Sequence, residues 1–293
     1  MAFKPLLPPD IISRDGQNNT ATAHPRKIPS MGPIISDLMT TSSWLLLGGL
    51  LQSLACTAFG PKAILLSAFI LLYRVVDNML MTFHITRNRY LDGAIMEKVS
   101  PQIPNPDGSF GNEPSNDSMV VFLLGSRSNH PLGVLAPGMI GMGLRVKDMI
   151  TDMYADPEKS GILGTSRWVK QEDAAGNESM NVFYLRDYEC LRKLANGEMH
   201  MESVRYWAKL VKENPHLTIY HETYVVPKGH WEAIYVHSKP TGFGNTWFPT
   251  RAKDSTGPVS EYTRPLVDAS TGLRSATGRL PFARGQKSEN FPR

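Results

Sequence analysis

Over residues 1 to 36 the apolar and polar positions follow no sustained period, and "LLPPD", "GQNNTATAHP" and "IPSMGP" predict an irregular leader, extended here to residue 43. The pattern then becomes almost wholly apolar. From Trp44 to Tyr73, "WLLLGGLLQSLACTAFGPKAILLSAFILLY" holds one charge, Lys62, beside the helix-breaking pair Gly60 and Pro61. The run starts too late and continues too long for a secretory signal. It divides into a segment 44–59, which at 1.5 Å per residue spans roughly 24 Å, and a longer one from 63 to about 83. The first is short of a hydrocarbon core of about 30 Å, and the second is long enough if Arg74 snorkels. Arg26 and Lys27 precede the run, Arg87 and Arg89 follow it, and the loop between the segments offers only Lys62. The positive-inside rule then favours a membrane-embedded hairpin over 44–83 with both long ends in the cytosol. A single tilted transmembrane helix and a buried core hairpin are the alternatives, and Asp77 strains either membrane reading.

Residues 84–117 are dense in Pro, Gly, Asn and Ser and read as a linker. Beyond them the periods become those of a folded domain, 118–245. "SMVVFLLGSR" (118–127) is a strand apolar on both faces. Met139, Met142, Val146, Met149, Ile150 and Met153 recur at helical spacing. "GILGTSRWVK" and "SMNVFYLR", with a turn at "DAAGNE", read as a β-hairpin. A second helical stretch covers about 187–213, with a weak point at Asn196 and Gly197, and "HLTIYHETYVV" and "HWEAIYVHS" supply two further strands. The order β, α, β, β, α, β plus one strand predicts an α+β, ferredoxin-like domain with two helices on one face of an antiparallel sheet. A first strand apolar on both sides needs its other face covered. A second copy of the sheet does this in a dimeric α/β barrel enclosing an apolar cavity, which makes a homodimer the expected assembly. Residues 246–293 lose all period and read as a flexible tail.

Composition changes this picture little. A hydrophobic content of 41 % is ordinary, and two distant cysteines, Cys56 and Cys190, exclude a disulfide framework or a cysteine-based zinc site. The net charge of +4 resides in the tail, where eight basic residues from Pro240 onward face four acidic ones. With no basic stripe and no interleaved aromatics, nucleic acid is not an expected partner. "GMIGMG" lacks the basic residue and the βαβ surroundings of a phosphate loop, no HExxH or carboxylate-rich metal motif is present, and the sequons at Asn18, Asn116 and Asn177 lie on the cytosolic side of the preferred topology.

"VVFLLGSRSNHPLGV", "GILGTSRWV", "MNVFYLRDYECLRKLA", "HMESVRYWAKL" and "HETYVVPKGHWEAIYV", in this order and at these distances, resemble the fungal monooxygenase family that includes the fumagillin-pathway monooxygenase. Bacterial relatives form a domain of unknown function. The resemblance covers about 118–245, and His221, Glu222, Thr223 and Tyr224 are its most particular stretch. It implies kinship with antibiotic-biosynthesis-type monooxygenases, which use dimeric ferredoxin-like barrels and often need no metal or flavin. The implied protein is a membrane-anchored monooxygenase of fungal secondary metabolism. It would act with molecular oxygen on an apolar, terpenoid or polyketide-derived substrate, at the endoplasmic reticulum with its catalytic domain cytosolic. A haem variant on the same barrel has His221, His200 or His237 as axial candidates, and a non-catalytic partner of another oxidase is the remaining reading.

Alternation along "LTIYHETYVV" puts His221 on one face of its strand and Tyr220, Glu222 and Tyr224 on the other. His221 is either a core histidine bonded to the second helix near His200, or a general base. Glu222, on the expected cavity side with Tyr224, is a second candidate base, or else an ion-pair partner of Arg127 or Arg186. Arg127 and Asn129 follow the first strand and either bind a substrate carboxylate or carbonyl at the cavity mouth or stabilise a loop. Tyr235 is expected to line the cavity across from the "HETY" strand, with His237 left open. His200, at a matching family position, is a substrate-binding candidate or a capping residue. Trp168, Trp207, Trp231 and the methionines read mainly as core.

Overall fold

The computed structural model describes residues 2–11, 39–170, 178–250 and 261–281. Along the chain it forms β1 (Asp10–Ile11), α1 (Thr41–Phe59), α2 (Ile64–Thr82), β2 (Ile95–Pro101), β3 (Met119–Ser128), α3 (Met139–Ala155), α4 (Pro157–Ser160), β4 (Ile162–Lys170) and β5 (Glu178–Leu185). Then follow α5 (Tyr188–Ala195), α6 (Glu198–Glu213), β6 (Leu217–Val226), β7 (Tyr235–Ser238), β8 (Phe248–Thr250), β9 (Glu261–Thr263), β10 (Leu266–Asp268) and α7 (Ala276–Arg279).

The main sheet has the order β4-β5-β3-β6 with every pair antiparallel. With α3 between β3 and β4, and α5 and α6 between β5 and β6, this is the ferredoxin-like connection that the hydrophobic periods predict. One face of the sheet carries Val120, Leu124, Ile162, Phe183 and Leu185 against Ile150, Met153 and Tyr154 of α3. The predicted break near Asn196 is present. Asp187 caps α5 by accepting the Cys190 N–H at 2.7 Å, and α6 restarts after Gly197.

The regions around this domain differ from their expectation. Residues 84–117 are not a linker: β2 runs through them, paired to β7 on one side and β10 on the other, and Val99, Ser100, Gln102 and Ile103 are buried. Pro and Asn are frequent there because the backbone is satisfied by strands more than a hundred residues away instead of by a local period. The expected tail is structured at 261–281, where Tyr262, Leu266, Val267, Ala269 and Leu273 are buried. Part of the leader is docked as well, since Pro5 bridges Val267 and β1 pairs β9. Residues 230–238 do not return along β6. After the turn at Gly229, Trp231 donates its indole N–H to the Asp117 carbonyl at 2.8 Å and packs on Phe243, which redirects the chain to β2.

Together these segments form a cap. Its core of Ile103, Trp231, Phe243 and Phe248 packs on Met119, Val121, Leu163, Tyr184 and Val226. The face of the sheet opposite the helices is therefore closed at one end and open at the other.

Ahead of the cap stand α1 and α2, long and apolar enough to cross a membrane. They are separated at Gly60, whose φ of 83° lies in the region that favours glycine, and at Pro61. The Ser67 hydroxyl donates to the Gln52 side-chain carbonyl between the two helices. Asp77, the residue that strains a membrane reading, is paired with Arg89 beyond the helix end.

Candidate active site

The open half of the sheet face is built from side chains placed row by row by the strand register. At the outer end Lys170, Glu178, Arg127 and Thr218 stand abreast on β4, β5, β3 and β6. The next row is Trp168, Met180, Gly125 and Tyr220, and the one after it Ser166, Val182, Leu123 and Glu222. A last row, Gly164, Tyr184, Val121 and Tyr224, reaches the cap, where Tyr184 packs on Phe243 with ring centroids 5.7 Å apart. The result is a basin with an apolar floor of Leu123, Val182 and Met180, the charged row at one end and the cap at the other. Trp168 and Tyr220 stand on its two edge strands.

Tyr220 shapes this basin because β3 carries a glycine opposite it. A Cβ on Gly125 would lie 2.0 Å from Tyr220 Cζ, so the ring lies directly over the bare backbone. The phenol thereby crosses β3 and donates to Glu178 Oε1 at 2.7 Å. Glu178 Oε2 faces Arg127 Nη1 at 3.4 Å and Lys170 Nζ at 3.6 Å, and Arg127 Nε donates to Asn129 Oδ1 at 2.9 Å. The Tyr220 hydrogen bond first, then Lys170 and Arg127, hold Glu178 below the usual carboxylate range. The same hydrogen bond, with desolvation, pushes Tyr220 up to about 12, so at neutral pH it is a fixed neutral donor.

Glu222 shares this face. Its carboxylate accepts the Tyr224 hydroxyl at 2.5 Å, which raises the Tyr224 pKa, and it stands one row inward of Tyr220. The ion pair considered for it with Arg127 or Arg186 does not form: Arg127 is opposite Glu178 in the register, and Arg186 pairs Asp187 at 3.1 Å.

His221 points to the other face, opposite Leu124, with its ring centroid 5.6 Å from Phe122. It is exposed and not a core histidine, because α6 leaves most of β6 uncovered. His200, in the first turn of α6, belongs to the helix layer, and its Nδ1 is buried with no hydrogen-bond partner among the described residues. Tyr235 does not face the "HETY" strand. It lies on β7 in the cap, where its hydroxyl accepts the Gly244 N–H at 3.2 Å and burial raises its pKa. His237 lies on the same strand with a φ of 48°. The three histidines considered as haem ligands thus stand on the helix layer, the helix side of β6 and the cap, and none opens onto the basin.

The family model described as "Monooxygenase af470-like" matches residues 119–243, which begin at β3 and end within the cap. "Monooxygenase af470" of Aspergillus fumigatus is 31 % identical over 284 residues, 95 % of this chain and 98 % of that protein. The chain belongs to the monooxygenase af470-like family. It is accordingly a monooxygenase, and the similarity to the Aspergillus relative, at 95 % of this chain, takes in the apolar hairpin as well as the domain. Among solved structures, SnoaB of Streptomyces nogalater, described as a cofactor-independent oxygenase, is 10 % identical with a TM-score of 0.27, covering 36 % of this chain and 90 % of its own. A possible oxidoreductase of Bacteroides thetaiotaomicron is 11 % identical with a TM-score of 0.27, covering 37 % of this chain and 98 % of its own. Overlaps this loose do not bear on the reaction.

Proposed function

We propose that this af470-like monooxygenase is a membrane-anchored enzyme that oxidises an apolar, terpenoid or polyketide-derived intermediate without a bound cofactor, with Glu222 as the base. The observation that carries the reading is the division of the "HETY" strand. Glu222 shares the basin with Tyr220, Leu123, Val182 and Met180, whereas His221 turns to the opposite face. A base beside an apolar floor can remove a proton from an activated substrate C–H. The resulting carbanion gives electrons to molecular oxygen and combines with it, forming a hydroperoxide. Where the same carbon bears a second hydrogen, loss of water leaves a carbonyl. One oxygen atom then enters the product, the other leaves as water, and all the electrons come from the substrate. The Tyr220 phenol, fixed by Glu178, borders this space as a stacking surface.

A second copy facing the open sheet would complete the enclosure over the half-buried Leu123 and Met180. The anchor is supported by two long apolar helices almost wholly exposed along their length, and it would hold the basin where an apolar substrate concentrates. The flanking basic residues favour a cytosolic domain, and the endoplasmic reticulum is the membrane proposed. Replacement of the gene in a producing host by a Glu222→Gln form tests the assignment. The unoxidised precursor should accumulate at unchanged protein level, and full product formation would overturn it. A stoichiometric Soret band from the purified protein would overturn the cofactor-free part.

A further inference from the structure

We infer that the bilayer surface cuts α2 part-way along its length, at Tyr73 and Arg74 and level with Trp44 of α1. The hairpin then crosses the hydrocarbon between these residues and Lys62, and Val75 to Thr82 stand above it as a stalk. This rests on the membrane anchor proposed above and fixes its depth. The Gln52–Ser67 hydrogen bond sets the level of the two antiparallel helices against each other. Counted from this pair toward the globular domain, Arg74 and Leu45 stand seven residues along their helices and Val75 and Trp44 eight, so antiparallel axes would bring them to one level. An indole, a phenol and a guanidinium therefore share one level, as at a membrane–water interface. Stepping five residues the other way from Ser67 reaches Lys62, the one charge at the tip. The Gln52–Ser67 pair lies between these two limits, where polar side chains satisfy each other in hydrocarbon.

From Lys62 to Arg74 the helical rise is about 18 Å against a core of about 30 Å. The difference is met from both ends by snorkelling of the two long cationic side chains and by local thinning. The competing placements fare worse. Burying all of α2 puts Arg74 ten residues from Ile64 and eight from Thr82, near mid-membrane, and draws the Asp77–Arg89 pair below the surface. A shallow hairpin that enters one leaflet leaves Lys62 at the midplane.

Single-cysteine forms of the full chain in a Cys56→Ser, Cys190→Ser background test the depth, in sealed phosphatidylcholine vesicles with the globular domain outside. A membrane-impermeant maleimide is added before and after permeabilisation. Met79→Cys should react as fast as Leu135→Cys, an exposed site on the domain, and Ile70→Cys at least about a hundredfold more slowly. Lys62→Cys should react only after permeabilisation. Protection of Met79→Cys equal to that of Ile70→Cys, or protection of Lys62→Cys under both conditions, overturns the depth assigned. Failure of the anchor itself would look different: the protein would not float with the vesicles, and Ile70→Cys would be as protected or reactive with vesicles as without them.

Discussion

Tyr220 donates its phenolic hydrogen to Glu178 at 2.7 Å although the two residues stand on strands that do not touch, β6 and β5, with β3 between them. The contact exists because Gly125 leaves the middle strand bare beneath the ring. It ties both flanking strands together over the basin and joins the apolar floor to the charged outer row.

Gly125→Ala should remove this arrangement. Its methyl group would meet the ring carbons of Tyr220 at 2.0 to 2.5 Å, so the ring must swing off the sheet, and overpacking of this kind costs about 1–3 kcal/mol. Urea unfolding should show the loss. Ultraviolet titration should show one tyrosine moving from its elevated range toward the ordinary value near 10. A variant of unchanged stability that keeps the high-titrating tyrosine would show that the ring does not lie over Gly125.

The same hydrogen bond makes stability depend on pH in two directions. Glu178 has a depressed folded pKa, so its contribution is present above the ordinary carboxylate range and fades as pH falls through the folded value. Tyr220 has a raised folded pKa, so its contribution is complete below its unfolded value near 10 and is lost as pH rises through about 12. Tyr220→Phe should therefore lower stability by about 1 kcal/mol at neutral pH. The difference from the natural protein should shrink in acid and in strong alkali, as read from melting temperatures across pH. A difference that is constant with pH would assign the effect to packing alone.

The face assignment of "HETY" separates two conservative changes. Glu222→Gln keeps the shape of the basin and removes its base, and a contribution of about 10²–10⁴-fold to turnover should go with it. His221→Ala, on the far face beside Phe122, should leave product formation within about threefold of normal. Precursor-to-product ratios in a producing host read both. Inversion of the two results would place the reacting space on the helix side of β6.

The contrast between what alternation reveals and what it hides is clear at this strand. Alternation alone separates His221 from Glu222, because the period of two is local to the backbone. It cannot say that Arg127 meets Glu178 instead of Glu222, since that depends on register between strands separated by dozens of residues. The ferredoxin-like order was legible because each of its elements has its own period. Gly125 carried a usable signal, a glycine inside a strong strand pattern, which marks close approach by another group. The cap carried none: β2 and β10 each belong to Pro-rich or Ser-rich stretches, and their partners come from opposite ends of the chain. Tyr235 departs from its expected place for the same reason: its strand follows β6 in sequence but pairs with β2.

That cap should prove indispensable to the domain through Arg279. The guanidinium is buried, donates to Glu232 at 2.5 Å and to the Leu273 and Arg274 carbonyls at 2.9 and 3.0 Å, and its backbone carbonyl accepts the Ser115 hydroxyl at 3.1 Å. One residue thus closes the segment 261–281 against the turn before β3 and against the start of the 231–238 segment. Arg279→Ala leaves Glu232, which water reaches, and two carbonyls without their donor, a loss of about 1–3 kcal/mol. Arg279→Lys restores the charge without the fork that reaches three acceptors, and should recover only part of it. Because Trp231 and Phe243 of the cap pack over Tyr184 at the end of the basin, loss of Arg279 should also raise the protease sensitivity of the chain near Trp231. Limited proteolysis followed by mass spectrometry reads the cleavage sites. An Arg279→Ala protein as resistant as the natural one would show that 261–281 can detach without opening the cap.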